Sequence, residues 1–295
     1  MMNREKQATL YAISAVLIWS TIATALTLTL RTMEKEEMLL WAFSVSFLIL
    51  GSMVLLGHKQ EALREYLKKH WKHTLVLGTI NPFIYYFSLF YAYTLLPAQE
   101  AQAINYTWAL MLAYLSVPIL GHRLGKRDVI AGLICYLGVL VIATHGDLLA
   151  LEFSNIKGIV VALLSTVFWA LYWILVTKLR ADTVVVLFAN FAIGLLWIVG
   201  YIVVTDTEIH MHPSGMLGTL YIGMFEMGVT FVLWGKALSL TRRASAISNL
   251  IFLSPILSLF FIHFIVGERI YTSTIIALGL ILSGLILQQK KNNSL

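Results

Sequence analysis

The amino-acid sequence predicts an all-α integral membrane protein with ten transmembrane helices and both termini in the cytoplasm. Of its 295 residues, 59% are hydrophobic and only 12% are charged, which is about half the charged fraction of a soluble domain. Most of the surface must therefore face lipid. The alternating apolar pattern of a membrane β-barrel is absent, so we expect helices to satisfy the backbone within the bilayer.

Ten apolar segments carry this prediction, and most are long enough to cross about 30 Å of hydrocarbon as a helix. The segments span residues 8–30, 39–57, 74–95, 98–120, 129–144, 158–177, 183–205, 216–238, 244–266 and 270–289. The first is too long for the apolar core of a signal peptide and no cleavage site follows it, so we interpret it as a span. The charged stretch 58–73 is expected to form a short surface helix.

The distribution of basic residues predicts the orientation. With the N-terminus in the cytoplasm, the outer side receives only four of the 21 Lys and Arg residues: Arg31, Lys35, Lys157 and Arg269. An excess of this size on one side is typical of cytoplasmic loops, and an even number of spans brings the C-terminus to the same side. The net charge of +6 is thereby explained without a nucleic-acid partner.

The two halves of the chain resemble each other. The stretch Gly121–Leu124 matches Gly267–Ile270. At nearly the same spacing, Trp19 matches Trp169, and each tryptophan lies near the middle of its apolar segment. The spacing therefore indicates an internal repeat.

The repeat predicts two units, residues 1–145 and 146–295, with five spans each. Because five is an odd number, the second unit crosses the membrane in the opposite direction to the first. Inverted repeats of this kind are typical of transporters that work by alternating access around a site between the repeats.

Several stretches resemble a known family. Residues Ala244–Leu287 resemble the closing segment of an EamA domain, and the tryptophans of Leu17–Ser20 and Val167–Ala170 resemble the opening helix of each half of such proteins. The positions shared with the closing segment are Pro255, Gly267–Arg269, Gly279 and Gly284. Over essentially its whole length the chain resembles the drug/metabolite transporter superfamily, EamA family.

One stretch resembles a narrower group. Residues Asn105–Trp108 are similar to the Asn-Tyr-x-Trp-Pro stretch of aromatic amino-acid exporters of that superfamily, with Ala109 in place of the proline. The resemblance implies two inverted five-helix bundles around a cavity built from spans 3, 4, 8 and 9, with spans 1 and 6. It also implies a multi-pass protein of the inner or plasma membrane that exports small metabolites, especially aromatic or amphipathic amino acids.

Two other functions are open at this point. A carrier of the same fold can act as an importer or a multidrug transporter, since residues do not set the direction of transport. An intramembrane enzyme acting on a lipid-soluble substrate would need paired aspartates, a His-Glu-x-x-His helix or a Gly-x-Ser-x-Gly turn. None of these motifs is present, and no predicted span contains an aspartate.

Glu226, near the centre of the eighth segment, is the clearest candidate for substrate binding. An ionisable side chain at the middle of a bilayer costs about 2.5–3.5 kcal/mol on insertion scales, so it is a functional candidate by default. We expect Glu226 to bind a substrate amine or to take a coupling proton. The structural alternative is a protonated carboxyl group that is hydrogen-bonded between helices.

Amide and aromatic side chains form the rest of the predicted binding site. Asn81 precedes Pro82, which can kink the third span beside the amide. The candidate aromatic rings lie deeper in the membrane than an interfacial belt of Trp and Tyr would. They could stack on flat substrates or bind cations, and packing in the core is an equal alternative. The remaining candidates are Trp19, Tyr85, Asn105, Tyr106, Trp108 and Trp169, of which the family resemblance strengthens Tyr106 and Trp108.

Two further glutamates lie at helix ends. Glu268 follows Gly267 at a position shared with the family, where the first repeat has His122, and we expect it to act in gating or in pairing of helix ends. Glu100 lies in the first turn of the fourth span, where the helix dipole favours a carboxylate. We expect no cofactor, no metal and no nucleic acid. The expected partners are a small-molecule substrate, membrane lipids and, as a candidate, protons, and the expected assembly is a monomer or homodimer.

Overall fold

The computed structural model describes residues 4–121, 125–148, 153–177, 179, 181–210, 212–241, 247 and 250–289. These residues are helical almost throughout and include no β-strand. The all-helical architecture predicted from hydropathy is confirmed.

Ten helices follow one another along the described chain. They are α1 (Arg4–Leu30), α2 (Lys35–Leu56), α3 (Gln60–Leu95), α4 (Ala98–Leu120), α5 (Lys126–Ala143), α6 (Ile156–Thr177), α7 (Thr183–Thr205), α8 (Pro213–Leu240), α9 (Leu250–Val266) and α10 (Thr272–Gln289). Seven of them are long and apolar enough to cross a membrane by length and composition. Each predicted segment corresponds to one of these helices. The positions of the ninth segment before Ile247, among them Ala244, lie outside the described residues, and so does His122.

The charged stretch 58–73 is helical from Gln60, and most of its side chains are exposed, as expected for a short surface helix. This helix is joined to the third apolar segment across a kink at His70, whose backbone departs from helical geometry (φ −126°, ψ 20°), and the two parts together form α3.

A break in α3 lies at Asn81. This residue has an extended backbone (φ −144°, ψ 118°) within the wide turn Thr79–Ile84, and the Asn81–Pro82 peptide bond is cis. A residue before proline is disfavoured in the helical region, and proline cannot donate the backbone hydrogen bond of a regular helix. The kink predicted from Pro82 is therefore present.

Three more helices are irregular. The helix α4 is interrupted at Tyr106–Thr107, α8 has a π-helical segment over Ile222–Val229, and α9 ends in a π-helical turn over Ile262–Val266. With α3, these are the four helices that the family resemblance assigns to the main walls of a cavity. Wide turns of this kind occur frequently at functional sites.

The chain forms two compact units. Unit 1 comprises Met1–Phe87 and Leu179–Ser258, and unit 2 comprises Ser88–Lys178 and Leu259–Leu295. Each unit takes helices from both halves of the sequence. In unit 1, α1 packs on the second part of α8 and α2 packs on α7 and on the π-helical segment of α8, whereas in unit 2 α5 packs on α10 and α4 packs on α6.

Glycines allow the close approach of α5 and α10 in unit 2. A Cβ added at Gly138 would lie 2.8 Å from the carbonyl oxygen of Ala277, and one added at Gly284 would lie 2.6 Å from Sγ of Cys135. Small residues at a helix interface let two backbones come together in this way. Cys135 fills the space opposite Gly284 as a buried free thiol.

Candidate functional site

Glu226 is buried in the π-helical segment of α8, in unit 1. Its Oε1 accepts a hydrogen bond from the hydroxyl of Tyr86 on α3, over 3.3 Å. Its Oε2 is also buried and has no hydrogen-bond partner among the described residues. Trp19 of α1 lies beside the carboxylate, but its indole does not complete a hydrogen bond of ordinary geometry to Oε2. Tyr86 is thus the one described donor with ordinary hydrogen-bond geometry to this side chain, and Trp19 adds a weaker contact.

The helix α2 holds the π-helical segment in place. A Cβ added at Gly223 would lie 2.6 Å from the carbonyl oxygen of Ala42, so glycine is needed for the two helices to come this close. Four residues further along α2, the hydroxyl of Ser46 donates a 2.9 Å hydrogen bond to the carbonyl oxygen of Met227. This bond satisfies a carbonyl group next to Glu226 that a wide helical turn leaves poorly paired.

Aromatic rings surround the carboxylate within unit 1. Trp19 packs against Phe231 and Trp234 of α8, with ring centroids 6.2 and 5.3 Å apart. Tyr86 packs against Tyr85 at 4.7 Å and against Phe43 of α2 at 6.3 Å. The structure therefore places the predicted residue Trp19 beside Glu226 and the predicted residue Tyr85 against Tyr86, the donor to Glu226.

Tyr86, the residue that donates to Glu226, was not among the residues selected from the sequence. Tyr85 and Tyr86 are adjacent and chemically identical, so only the direction of the helix face separates them. The break at Asn81 resets that direction four residues earlier, and hydropathy carries no signal of it.

Asn81 lies at the break in α3 and is buried, and its Oδ1 has no hydrogen-bond partner among the described residues. The adjacent Pro82 packs against α7, where a Cβ added at Gly194 would come within 2.4 Å of Cγ of Pro82. The buried amide thus follows a proline that is wedged against a neighbouring helix.

Four other predicted residues lie in unit 2, where they join α4 to α6. Nδ2 of Asn105 donates a 3.3 Å hydrogen bond to Oγ of Ser165. The rings of Trp108 and Trp169 meet edge to face, with centroids 6.4 Å apart and an interplanar angle of 83°. Tyr106 occupies the interruption of α4 between them. The Asn-Tyr-x-Trp stretch is therefore a break in a helix with a tryptophan pair beside it.

Glu268 binds the start of α4 in unit 2. Its Oε1 accepts from the backbone N–H of Ala98 at 3.0 Å, and its Oε2 accepts from the backbone and side-chain amides of Gln99, both at 3.4 Å. Gln99 also donates to the carbonyl oxygen of Arg269 and accepts from the hydroxyl of Thr274. The carboxylate caps a helix N-terminus, where exposed amides and the helix dipole favour negative charge.

Glu100 follows in the same first turn of α4 and is 1% exposed. Its Oε2 accepts a 2.7 Å hydrogen bond from the hydroxyl of Ser154, and Nδ1 of His145 lies 3.7 Å from its Oε1. Both glutamates predicted at helix ends thus lie at the start of one helix in unit 2.

Two further buried carboxylates were not predicted from the sequence. The helix α2 begins at Lys35, earlier than its apolar segment, so Glu36 and Glu37 belong to the helix and are only 7% and 3% exposed. Two acidic residues directly before an apolar run were the available signal.

These features define the class of protein. Ten helices, mostly apolar, several of them broken at mid-length, and a buried carboxylate among aromatic rings are typical of a multi-pass membrane transporter. The EamA-like transporter family matches residues 6–144 and 156–288. The chain belongs to this family.

Two curated relatives are similar to the chain. An uncharacterized transporter in the sor 3′ region of Acidianus ambivalens is 31% identical over 174 residues, which are 57% of this chain and 66%, just under two thirds, of that relative. The aromatic amino acid exporter YddG of Ancylobacter novellus is 26% identical over 230 residues, which are 77% of this chain and 78% of that protein. A protein of known crystal structure shares the fold with a TM-score of 0.70 at 21% identity, over 97% of both chains.

Proposed function

We propose that this transporter exports amino acids, especially aromatic or amphipathic ones, by alternating access. The observation that carries the proposal is the buried carboxylate of Glu226, with Tyr86 as its weak donor and an Oε2 that has no hydrogen-bond partner among the described residues. In this proposal the ammonium group of the substrate binds Glu226, and the substrate side chain packs among the surrounding rings.

The energetics of burial support an amine at this position. A buried carboxylate is costly unless a cation or several hydrogen bonds compensate it. Tyr86 supplies one long hydrogen bond and Trp19 a weaker contact, so most of the compensation must come from a ligand or a proton. A substrate ammonium group supplies charge and up to three N–H donors at once.

The rings of unit 1 suit an aromatic or amphipathic side chain. Trp19, Phe231 and Trp234 form a continuous apolar group beside Glu226. Aromatic pairs gain roughly 0.5–1.5 kcal/mol beyond burial of area, and a cation over a ring gains a similar amount. The name of the Ancylobacter relative, an aromatic amino acid exporter, is consistent with this substrate class.

Alternating access requires the two repeats, 1–145 and 146–295, to have opposite orientations, with both termini in the cytoplasm. The family matches twice along the chain, once on each side of residue 145, and the basic residues favour cytoplasmic ends. Reporter fusions test the arrangement. Reporters at the two termini should both report the cytoplasm, and reporters on opposite faces would contradict the inverted repeat and the transport mechanism that depends on it.

A proton is the natural second partner. Because an empty carrier must return with Glu226 still buried, protonation would neutralise the carboxylate during that step. We propose that substrate and proton exchange at this group, that the carrier works as a monomer or homodimer in the lipid bilayer, and that the cycle uses no cofactor.

Efflux from proteoliposomes tests the substrate and the role of Glu226 together. Vesicles loaded with radiolabelled L-phenylalanine or L-tryptophan should release it faster with wild-type protein than without protein. Glu226→Gln should reduce efflux to the background. Glu61→Gln is the matched control, because the Glu61 carboxylate is 80% exposed at the charged start of α3, and it should transport like wild type.

The same assay separates the alternatives. Movement of cationic dyes but not of amino acids would identify a multidrug carrier, and accumulation of amino acid inside the vesicles driven by an inward proton gradient would identify an importer. Wild-type efflux of both amino acids at the protein-free rate would contradict the proposal. Family membership already favours transport over the intramembrane-enzyme alternative.

A further inference from the structure

The first turn of α2 contains a buried carboxylate that the proposed transport site does not use. Glu36 pairs with Lys35 through Oε1. Glu37, the next residue, is 3% exposed, and its Oε1 has no hydrogen-bond partner among the described residues. Glu34, at the N-cap position of this helix, makes no side-chain cap hydrogen bond.

A buried donor without a partner lies one turn further along the same helix. Nε1 of Trp41 is shielded from solvent and makes no hydrogen bond within the described part of the chain. Residues four apart lie on the same face of a helix, and long side chains lean back toward the helix N-terminus. By this spacing, Trp41 and Glu37 share one face of α2, one turn apart.

This face of α2 continues to the surroundings of Glu226. Val45 is the next residue along the stripe after Glu37 and Trp41, and a Cβ added at Gly223 would lie 2.8 Å from Cβ of Val45. Gly223 precedes Glu226 by three residues. At about 1.5 Å per residue, Glu37 lies roughly 12 Å along the axis of α2 from the level of Val45. All of these residues belong to unit 1.

We propose that Glu37 and Trp41 form a second binding site for a zwitterionic amino acid, between the start of α2 and Glu226. The carboxylate of Glu37 accepts from the ligand's ammonium group, and the indole N–H of Trp41 donates to the ligand's carboxylate. This inference rests on the proposed function and adds a second binding site for the same substrate.

The chemistry of the Glu37 carboxylate and the Trp41 indole N–H determines which class of ligand can bind. A proton or an organic cation would compensate Glu37 but would leave the indole N–H unpaired, at the cost of an unsatisfied buried donor. An anion would pair with Trp41 and be repelled by Glu37. A zwitterion satisfies both groups at once.

Binding of L-phenylalanine to the detergent-purified protein, followed by calorimetry, tests the second site in a Glu226→Gln background. The Glu226→Gln protein should still bind one equivalent. Adding Glu37→Gln or Trp41→Phe should weaken that binding about tenfold or more, the effect of losing a hydrogen bond to a charged group. Glu34→Gln is the matched control, since Glu34 is exposed one turn from Glu37, and should leave binding unchanged.

Ligand analogues check the zwitterion directly. L-Phenylalaninamide lacks the carboxylate and N-acetyl-L-phenylalanine lacks the ammonium group, and each should bind the Glu226→Gln protein more weakly than L-phenylalanine. Trp41→Phe keeps an aromatic ring and removes the indole N–H. It is the variant to test if Glu37→Gln does not purify as a folded monodisperse protein.

The outcomes separate this inference from the proposed function. If wild type binds L-phenylalanine but Glu226→Gln does not, or if Glu37→Gln and Trp41→Phe bind as Glu34→Gln does, the second site is refuted and the transport proposal stands. If wild type itself binds neither L-phenylalanine nor L-tryptophan, both proposals are refuted.

Discussion

Glu226 lies in the π-helical segment of α8 in unit 1, Glu268 lies just after the end of α9 in unit 2, and the surroundings of the two glutamates differ sharply. Glu268 accepts hydrogen bonds on both oxygens, from two backbone amides and one side-chain amide at the start of α4. Glu226 accepts one long hydrogen bond from Tyr86, and its second oxygen is unpartnered within the described chain. A satisfied carboxylate stabilises the fold, whereas an unsatisfied one is available to a ligand.

The two units show the same contrast more widely. Among the described residues of unit 1, the buried polar atoms without a hydrogen bond include Oδ1 of Asn81 at a helix break and Oγ1 of Thr230, one turn after Glu226. In unit 2, Oε1 of Glu100 also has none, but Asn105 donates to Ser165, and Gln99 uses both ends of its side-chain amide. We therefore expect substitutions of polar residues to affect transport more in unit 1 and stability more in unit 2.

The largest expected effect is that of Glu226→Gln on transport. Removing one partner of a buried charge pair typically costs about 2–5 kcal/mol, so efflux of L-phenylalanine should fall at least about thirtyfold. The melting temperature in detergent should not fall, because a neutral amide is less costly to bury than an uncompensated carboxylate. A clear loss of thermal stability in Glu226→Gln would mean that the carboxylate is structural, and the contrast with Glu268 would fail.

Glu268→Gln should show the opposite pattern. An amide can accept only through its single oxygen, so the variant loses one charge-assisted contact at the start of α4 and the favourable interaction with the helix dipole. We expect the free energy of unfolding to fall by about 1–2 kcal/mol. Thermal unfolding in detergent measures it, with Glu61→Gln as the exposed control. Unchanged stability together with lost transport would assign Glu268 to gating instead.

Trp108→Leu probes the aromatic pair of unit 2, where the predicted substrate role and core packing make different predictions. Loss of the edge-to-face contact with Trp169 should cost about 1 kcal/mol of stability. If the tryptophan also contacts substrate, the variant should discriminate between amino acids, with a greater loss of L-tryptophan efflux than of L-leucine efflux. Equal losses for both amino acids would restrict Trp108 to packing.

Hydropathy and charge were sufficient to predict the helices, because burial in lipid is a property of short runs of residues. The kink could be predicted from Pro82 alone, because the missing amide is a property of that residue. The wide turn in α8 was not predictable in this way. Residues Ile222–Val229 are compatible with a regular helix, and the turn depends on Gly223 meeting Ala42 of α2, a contact between residues far apart in sequence.

The residues of the candidate site differ in the same way: some can be found from their own chemistry, and others only from contacts made in the folded chain. Glu226 could be found from its own chemistry, since a carboxylate in an apolar run is costly wherever the chain places it. Tyr86 could not be selected, because its direction depends on the helix phase after the break at Asn81. For Glu37 the acidic pair before an apolar run was the one signal, and its burial depends on α2 beginning at Lys35, before its apolar segment. Packing determines which carboxylate and amide oxygens receive a hydrogen bond, and this is the basis of the contrast between the two units.

The smallest expected effect tests whether unit 1 also contains a carboxylate that is purely structural. Asp182 precedes α7, accepts from the backbone amides of Val184 and Val185, and lies 2.7 Å from Nζ of Lys59. Burial raises the pKa of this carboxyl group, but the hydrogen bonds from Lys59 and from the two amides outweigh burial and lower the pKa below its ordinary value. A lowered pKa means that the ionised form stabilises the fold at neutral pH, and that this contribution is lost as the pH falls through the pKa of the folded state.

Asp182→Asn keeps the helix cap, since asparagine is an equally good N-cap residue, and removes only the charge. Because the side chain is 40% exposed, we expect a loss of at most about 1 kcal/mol near pH 7, measured by thermal unfolding, with transport unchanged. The difference from wild type should shrink as the pH falls below about 4 and vanish below the pKa of folded Asp182. Lys59→Met should give a similar loss at neutral pH and add little to Asp182→Asn. A difference that is constant across pH would show that the ion pair contributes nothing, and that the amide hydrogen bonds alone hold the start of α7.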